Sequence, residues 1–210
     1  MEFYSILEKE LNNLPGEAAH LAMFPKRAPA SAIRTQKNDY REAGVMVLFH
    51  ADENKKWITL TQRHNYKGAH GGQVSFPGGK IEPIDEDILA AARRETREEV
   101  GVDVPYILGE LTSLYIPVSN FMVYPFVGYI DHRPVYIKEE KEVLEIFNMD
   151  ASALLDESIL TLNDVKTGNN VVLKRVPSFL YNEKIIWGAT ALILNELKEI
   201  LKRDSFRNAL

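Results

Sequence analysis

Residues 76–102, FPGGKIEPIDEDILAAARRETREEVGV, leave this chain the least freedom. A glycine turn at Gly78-Gly79 feeds a helix over about 86–100. Asp85 is the expected N-cap, with Glu86 and Asp87 in the first turn, where acidic groups favour the helix dipole. Gly101 is the expected stop. Leu89, Ala92, Thr96 and Val100 share one face, so the helix should pack on a sheet. Glu95, Glu98 and Glu99 fall beside that face, within an arc of about 100°. Carboxylates so close repel one another and weaken a fold unless a cation compensates them. Donors that are all oxygen suit a hard divalent ion such as Mg²⁺ or Mn²⁺. The competing reading is a solvated acidic helix with ordinary i,i+4 pairs, such as Arg94 with Glu98. The glycine pair and the two helix-end signals favour the ion.

This stretch resembles the Nudix box, G-x5-E-x7-R-E-U-x-E-E-x-G-U with U apolar. Arg94-Glu95-Thr96-Arg97-Glu98-Glu99-Val100-Gly101-Val102 matches its second half, with Thr96 at the apolar position. Glu86 matches the first glutamate counted back from Arg94, one residue later than the spacing from Gly79. The resemblance implies an α/β protein, an α/β/α sandwich around a mixed β-sheet. It also implies Glu95, Glu98, Glu99 and the Gly79 carbonyl as ligands of Mg²⁺ or Mn²⁺. Glu98 is the first choice for the group that orients or deprotonates the attacking water, and Arg94 fixes Glu98 by a charge-assisted hydrogen bond. Family members often use a further glutamate from a loop after the box. Glu142 is the candidate here, the alternative being a solvated charge within Lys-Glu-Glu-Lys-Glu.

Upstream, Leu60-Thr61-Gln62-Arg63 and His70-Gly71-Gly72-Gln73-Val74-Ser75-Phe76-Pro77-Gly78-Gly79 are similar to the signature of the coenzyme A pyrophosphatase subgroup. That signature runs roughly L-L-T-x-R-[SA]-x3-R-x3-G-x3-F-P-G-G. Thr59, His64 and Gly68 depart from it, and Lys67 stands beside the missing arginine. Glu142-Val143 and Ile186-Trp187-Gly188-Ala189-Thr190-Ala191 fit the subgroup as well, so the likeness spans about residues 41–203. It implies hydrolysis of coenzyme A or its thioesters to 3′,5′-ADP and 4′-phosphopantetheine products. Arg63, Lys67, His70 and Gln73 are the implied substrate contacts. Pro117 stands downstream of the box, where ADP-ribose enzymes often carry a proline, which keeps another nucleoside diphosphate derivative as an alternative substrate. A third reading, a nucleotide-sensing domain without catalysis, usually goes with lost box glutamates, and all three are present here.

The 210 residues allow one sizeable domain with an appendage. Phe3, Ile6, Leu7 and Leu11 predict a helix within 2–13, followed by an irregular arm to residue 40. A Nudix domain is expected over 41–205. Strands are expected at 45–50, 57–61, 106–115 and 122–130, and 141–147 reads as a strand or the start of a helix. A helical turn at 151–155, a hairpin around Lys-Thr-Gly-Asn-Asn and an amphipathic helix over 189–202 complete the reading, with Trp187 expected in the core.

The chain has no cysteine, which excludes disulfides, thiolate metal sites and the four-cysteine zinc module common in the NADH-specific branch. A net charge of −5 without a basic stripe argues against polymeric nucleic acid as partner. No apolar run approaches the roughly 18 residues of a membrane span, and the charged first residues are not those of a signal peptide. A cytoplasmic protein acting on a small nucleotide is the expectation. The long arm suggests a homodimer.

Overall fold

The computed structural model describes residues 2–37, 39–52, 55–65, 70–167, 171–207 and 209–210. Its elements run α1 (Glu2–Glu10), α2 (Glu17–Met23), α3 (Ala30–Gln36), β1 (Arg41–Asp52), β2 (Lys55–Arg63), β3 (Val74–Ser75), β4 (Gly78–Lys80), α4 (Ile88–Val100), β5 (Tyr106–Glu110), β6 (Leu114–Ile116), β7 (Phe121–Ile130), β8 (Val143–Asp150), β9 (Leu160–Lys166), β10 (Val172–Tyr181), β11 (Lys184–Ile186) and α5 (Gly188–Leu201). Strand β1 is the spine of the larger sheet. It pairs parallel with β7 and antiparallel with β2 and β4. Strand β2 carries β3 and β8, and β7 carries β5 and β6. A smaller antiparallel sheet has the order β11-β10-β9.

Side chains of β1 alternate between two cores, as the period of a strand requires. Met46 and Leu48 join Ala92 and Val100 beneath α4, while Val47 and Phe49 join Leu194 and Leu197 of α5 and Phe3 and Leu7 of α1. The result is the expected sheet between helical layers. Helix α4 approaches β1 very closely at Gly44, where a Cβ would lie 2.4 Å from the Ile88 carbonyl oxygen and 2.9 Å from the Ala92 Cβ.

The arm departs from its expected irregularity. Helices α2 and α3 occupy much of it, and α2, Glu-Ala-Ala-His-Leu-Ala-Met, is built mostly of strong helix formers and buries one face. Ala19, His20 and Met23 are buried. Asn195 Nδ2 donates to the Ala19 carbonyl at 2.8 Å. His20 Nε2 lies 3.3 Å from the buried carboxylate of Glu196. Glu196 also accepts from Gly16 N at 3.2 Å, Thr112 N at 3.0 Å and Thr112 Oγ1 at 2.6 Å. The same bonds divert Thr112 from strand pairing, which explains why the single strand expected over 106–115 appears as β5 and β6. The two ends of the chain also meet: the rings of Phe3 and Phe206 are 5.6 Å apart, and Arg203 donates to Glu10 Oε2 at 2.6 Å.

Other boundaries follow local chemistry. Helix α4 starts later than expected because Asp87, not Asp85, is its N-cap, accepting from Ala90 N at 2.7 Å. Gly101, with φ of 73°, closes it as expected. The segment around 141–147 is the strand β8.

Candidate active site

Strand β4 sets the glycine pair against α4. Gly78 N donates to Glu99 Oε2 at 3.2 Å. Gly79 touches the next acid: a Cβ on it would fall 2.4 Å from the Glu95 carboxylate carbon. Only a residue without a side chain leaves Glu95 in that place.

Two arginines organise the acids. Arg94 grips Asp85 with Nε and Nη2, each at 2.9 Å, in the bidentate geometry that suits a carboxylate. Its Nη1 reaches Glu95 at 3.0 Å and Glu98 at 3.1 Å. Asp85, expected as a helix cap, is therefore an anchor for Arg94, and its hydrogen bonds hold Arg94 firmly charged. Arg63 bridges across the cleft, with Nη1 3.3 Å from Glu99 and Nη2 3.7 Å from Glu142.

Glu99 was expected beside the packed face of the helix. It is buried instead, at 3% exposure, because β4 and Arg63 close over it. Burial pushes its carboxyl up to about 7, against the opposing pull of Arg63 and the Gly78 N–H. Burial likewise raises Glu95, although Arg94 opposes it. Glu98 is the exposed member of the trio, and Glu86 is exposed at the start of the helix region.

Among the described residues, no three acidic or histidine side chains converge on one point. Arg94 draws Glu95 and Glu98, while Arg63 draws Glu99, so the carboxylates are held apart. The donor chemistry still fits a hard divalent ion. Every donor is an oxygen, and the two acids that burial raises would both gain from a cation at the Gly79 cradle.

These residues open onto a cavity of about 1190 Å³. Its walls include Glu95, Glu99, Glu142, Arg63, His70, Gln73 and Gly79. His70 Nδ1 lies 3.3 Å from Gln73 Oε1. Lys67 lies outside the described residues. Glu98 contributes no surface to the cavity, whereas Glu142 does. Trp187, expected in the core, is a cavity wall residue. So is Met23–Arg27 of the arm, which no sequence signal assigned to the site; only its place after the buried turn of α2 brings it there.

Residues 40–170 match the family model described as NUDIX domain. An uncharacterized Nudix hydrolase, NudL, from Yersinia enterocolitica serotype O:8 is 34% identical over 144 residues, covering 68% of this chain and 72% of that one. NudL from Yersinia pestis (strain Pestoides F) is 31% identical over 144 residues, covering 68% and 71%. A MutT/nudix family protein of known structure from Enterococcus faecalis aligns at 17% identity with a TM-score of 0.49, over 90% of this chain and 73% of the other. Since residues 40–170 contain the glycine turn, the acidic helix and every strand of the larger sheet, the chain belongs to the Nudix family.

Proposed function

We propose that this Nudix hydrolase cleaves the diphosphate of coenzyme A or its thioesters, giving 3′,5′-ADP and a 4′-phosphopantetheine product. The observation that carries the reading is one cavity walled by Glu95, Glu99, Glu142 and Gly79 together with the upstream residues Arg63, His70 and Gln73. The chemistry-bearing box and the substrate-side signature thus face the same space. Apolar walls such as Phe24, Val118 and Leu173 suit a pantetheine arm with its acyl group.

Glu95, Glu98, Glu99 and the Gly79 carbonyl would hold Mg²⁺ or Mn²⁺. When bound, the ion neutralises diphosphate oxygens and lowers the pKa of a water. Arg94, anchored on Asp85, sets the direction of Glu95 and Glu98. Glu98 takes the proton of the attacking water in the first-choice assignment, and Glu142 is the runner-up, since it lines the cavity itself. Arg63 steadies Glu142 and Glu99 from the substrate side. The catalytic domain is taken as 41–205, with residues 1–40 as an arm that completes the wall, in a cytoplasmic protein. A homodimer rests on the length of the arm, which here packs on its own domain; light scattering that shows only monomer would remove it.

Pro117, a wall residue of the same cavity, favours ADP-ribose as a second reading. The deciding experiment incubates purified protein and Mg²⁺ or Mn²⁺ with coenzyme A, acetyl-coenzyme A, ADP-ribose, NADH and a dinucleoside polyphosphate, and identifies products by mass. Release of 3′,5′-ADP from coenzyme A at the highest kcat/KM is the expected result. Preferred cleavage of ADP-ribose overturns the coenzyme A assignment, and binding without turnover of any compound favours a nucleotide sensor.

A further inference from the structure

The arm delivers a cation to the cavity that the catalytic groups do not use. Arg27 sits at the end of the turn Phe24–Arg27, closed by Arg27 N donating to the Phe24 carbonyl at 3.1 Å. The turn follows directly on α2, which the buried His20–Glu196 contact and the Asn195–Ala19 bond lock onto α5. The Arg27 side chain is therefore presented from a fixed base.

It lines the same cavity as Glu95 and Glu99 and is half-buried. One of its nitrogens, Nη2, donates to the Tyr115 carbonyl. Among the described residues it forms no ion pair, and Glu17 acts on it only through space. Burial lowers its pKa, the mark of a charge partly stripped of water and not compensated by a carboxylate. The other arginine of the cavity wall, Arg63, is engaged with Glu99 and Glu142. A guanidinium has five donors in a planar fork that matches a phosphate. Here one donor is seen to be taken by a carbonyl, on a wall shared with the diphosphate site.

We infer that Arg27 binds a phosphomonoester that the substrate carries away from the scissile diphosphate, such as a 3′-phosphate on its ribose. This deepens the proposed function, because it rests on the cavity being a nucleoside diphosphate site, and it assigns selection for the phosphorylated nucleotide to the arm.

The test measures binding of 3′,5′-ADP and 5′-AMP by calorimetry with Mg²⁺ present. Wild-type protein should prefer 3′,5′-ADP by about tenfold or more, the scale of a charge-assisted hydrogen bond. Arg27→Ala should cut the preference to less than about twofold, and Arg27→Lys should keep part of it, since a point charge replaces the fork. In turnover, Arg27→Ala should raise KM for coenzyme A by about tenfold and for 3′-dephospho-coenzyme A by less than about twofold. Thermal unfolding checks each variant; if Arg27→Ala does not fold, the Arg27→Lys preference, read at unchanged Tm, decides. No preference in the wild type, or a full preference in both variants, overturns the Arg27 site while leaving the hydrolase reading intact. An Arg27-dependent preference in a protein that cleaves neither coenzyme A form upholds the site and sinks the substrate assignment.

Discussion

Gly79 and Glu95 are in van der Waals overlap range for any larger residue: a Cβ at Gly79 would stand 2.4 Å from the carboxylate carbon of Glu95 and 2.6 Å from its oxygens. The atoms that would have to move are the end of a flexible side chain, so the backbone survives the change while the carboxylate does not keep its place. Gly79→Ala should therefore fold normally and lose about 10²-fold in kcat/KM, as expected when a positioning group is displaced by about an ångström. Circular dichroism and steady-state assays check both halves. Wild-type turnover by this variant would remove the Gly79–Glu95 cradle from the mechanism.

Exposure separates the two candidate proton acceptors. Glu98 is 57% exposed and bonded to Arg94, and Glu142 is 55% exposed beside Arg63. Neither supports the core, so Glu98→Gln and Glu142→Gln should both leave the Tm within a few degrees. The one that is the base should lower kcat by about 10²-fold or more under saturating Mg²⁺. Glu98 is expected to show the larger loss. If Glu142→Gln loses more, the assignment passes to Glu142.

Glu99 makes stability depend on pH with an unusual sign. Its folded-state pKa, near 7, lies above the ordinary glutamate value, so between those two values the folded protein binds more protons than the unfolded chain. Stability of the metal-free protein should fall as pH rises through that window. Glu99→Gln should remove this part of the slope, and saturating Mg²⁺ should restore stability at the high-pH end, because the ion replaces the proton. Urea midpoints in EDTA and in Mg²⁺ across pH 5 to about 8 measure all three effects.

Glu196 accepts three hydrogen bonds in a fully buried position, from Gly16 N, Thr112 N and Thr112 Oγ1, and His20 Nε2 lies 3.3 Å from it. Burial alone would raise its carboxyl, but the nearby His20 and the bonds from Thr112 outweigh burial and hold it below the ordinary range. Glu196→Ala would leave these donors buried without an acceptor. The expected cost is on the order of 3 kcal/mol by urea denaturation. Limited proteolysis should then cut within the arm first. A loss below about 0.5 kcal/mol, the range of ordinary surface substitutions, would show that the cluster does not hold the arm.

The elements that were legible from sequence are those whose signal is local. The body of the acidic helix, its Gly101 stop, and the centres of strands β1, β2 and β7 lie where periodicity and punctuation place them, because each depends on residues a few positions apart. At Asp85 a helix cap and a salt-bridge anchor look identical in sequence, and they separate only when the loop folds Asp85 back onto Arg94. The burial of Glu99 depends on Arg63 and Gly78 arriving from other strands. The role of the arm was hidden for the same reason: His20 meets Glu196 from the far end of the chain, a pairing without any local trace. The hydrophobicity of Trp187 predicts a core position, whereas the turn into α5 leaves it on the cavity wall.

The contact between Phe3 and Phe206 bears on how the molecule assembles. Helix α1 emerges from synthesis well before Phe206, which makes one side of its seat. Until then its apolar stripe of Phe3, Tyr4 and Leu7 has no complete partner, and closing so long a loop costs entropy before any contact repays it. Helix α1 is thus a latch set only once Phe206 has been made, and a chain interrupted before Phe206 carries an uncovered greasy surface along α1.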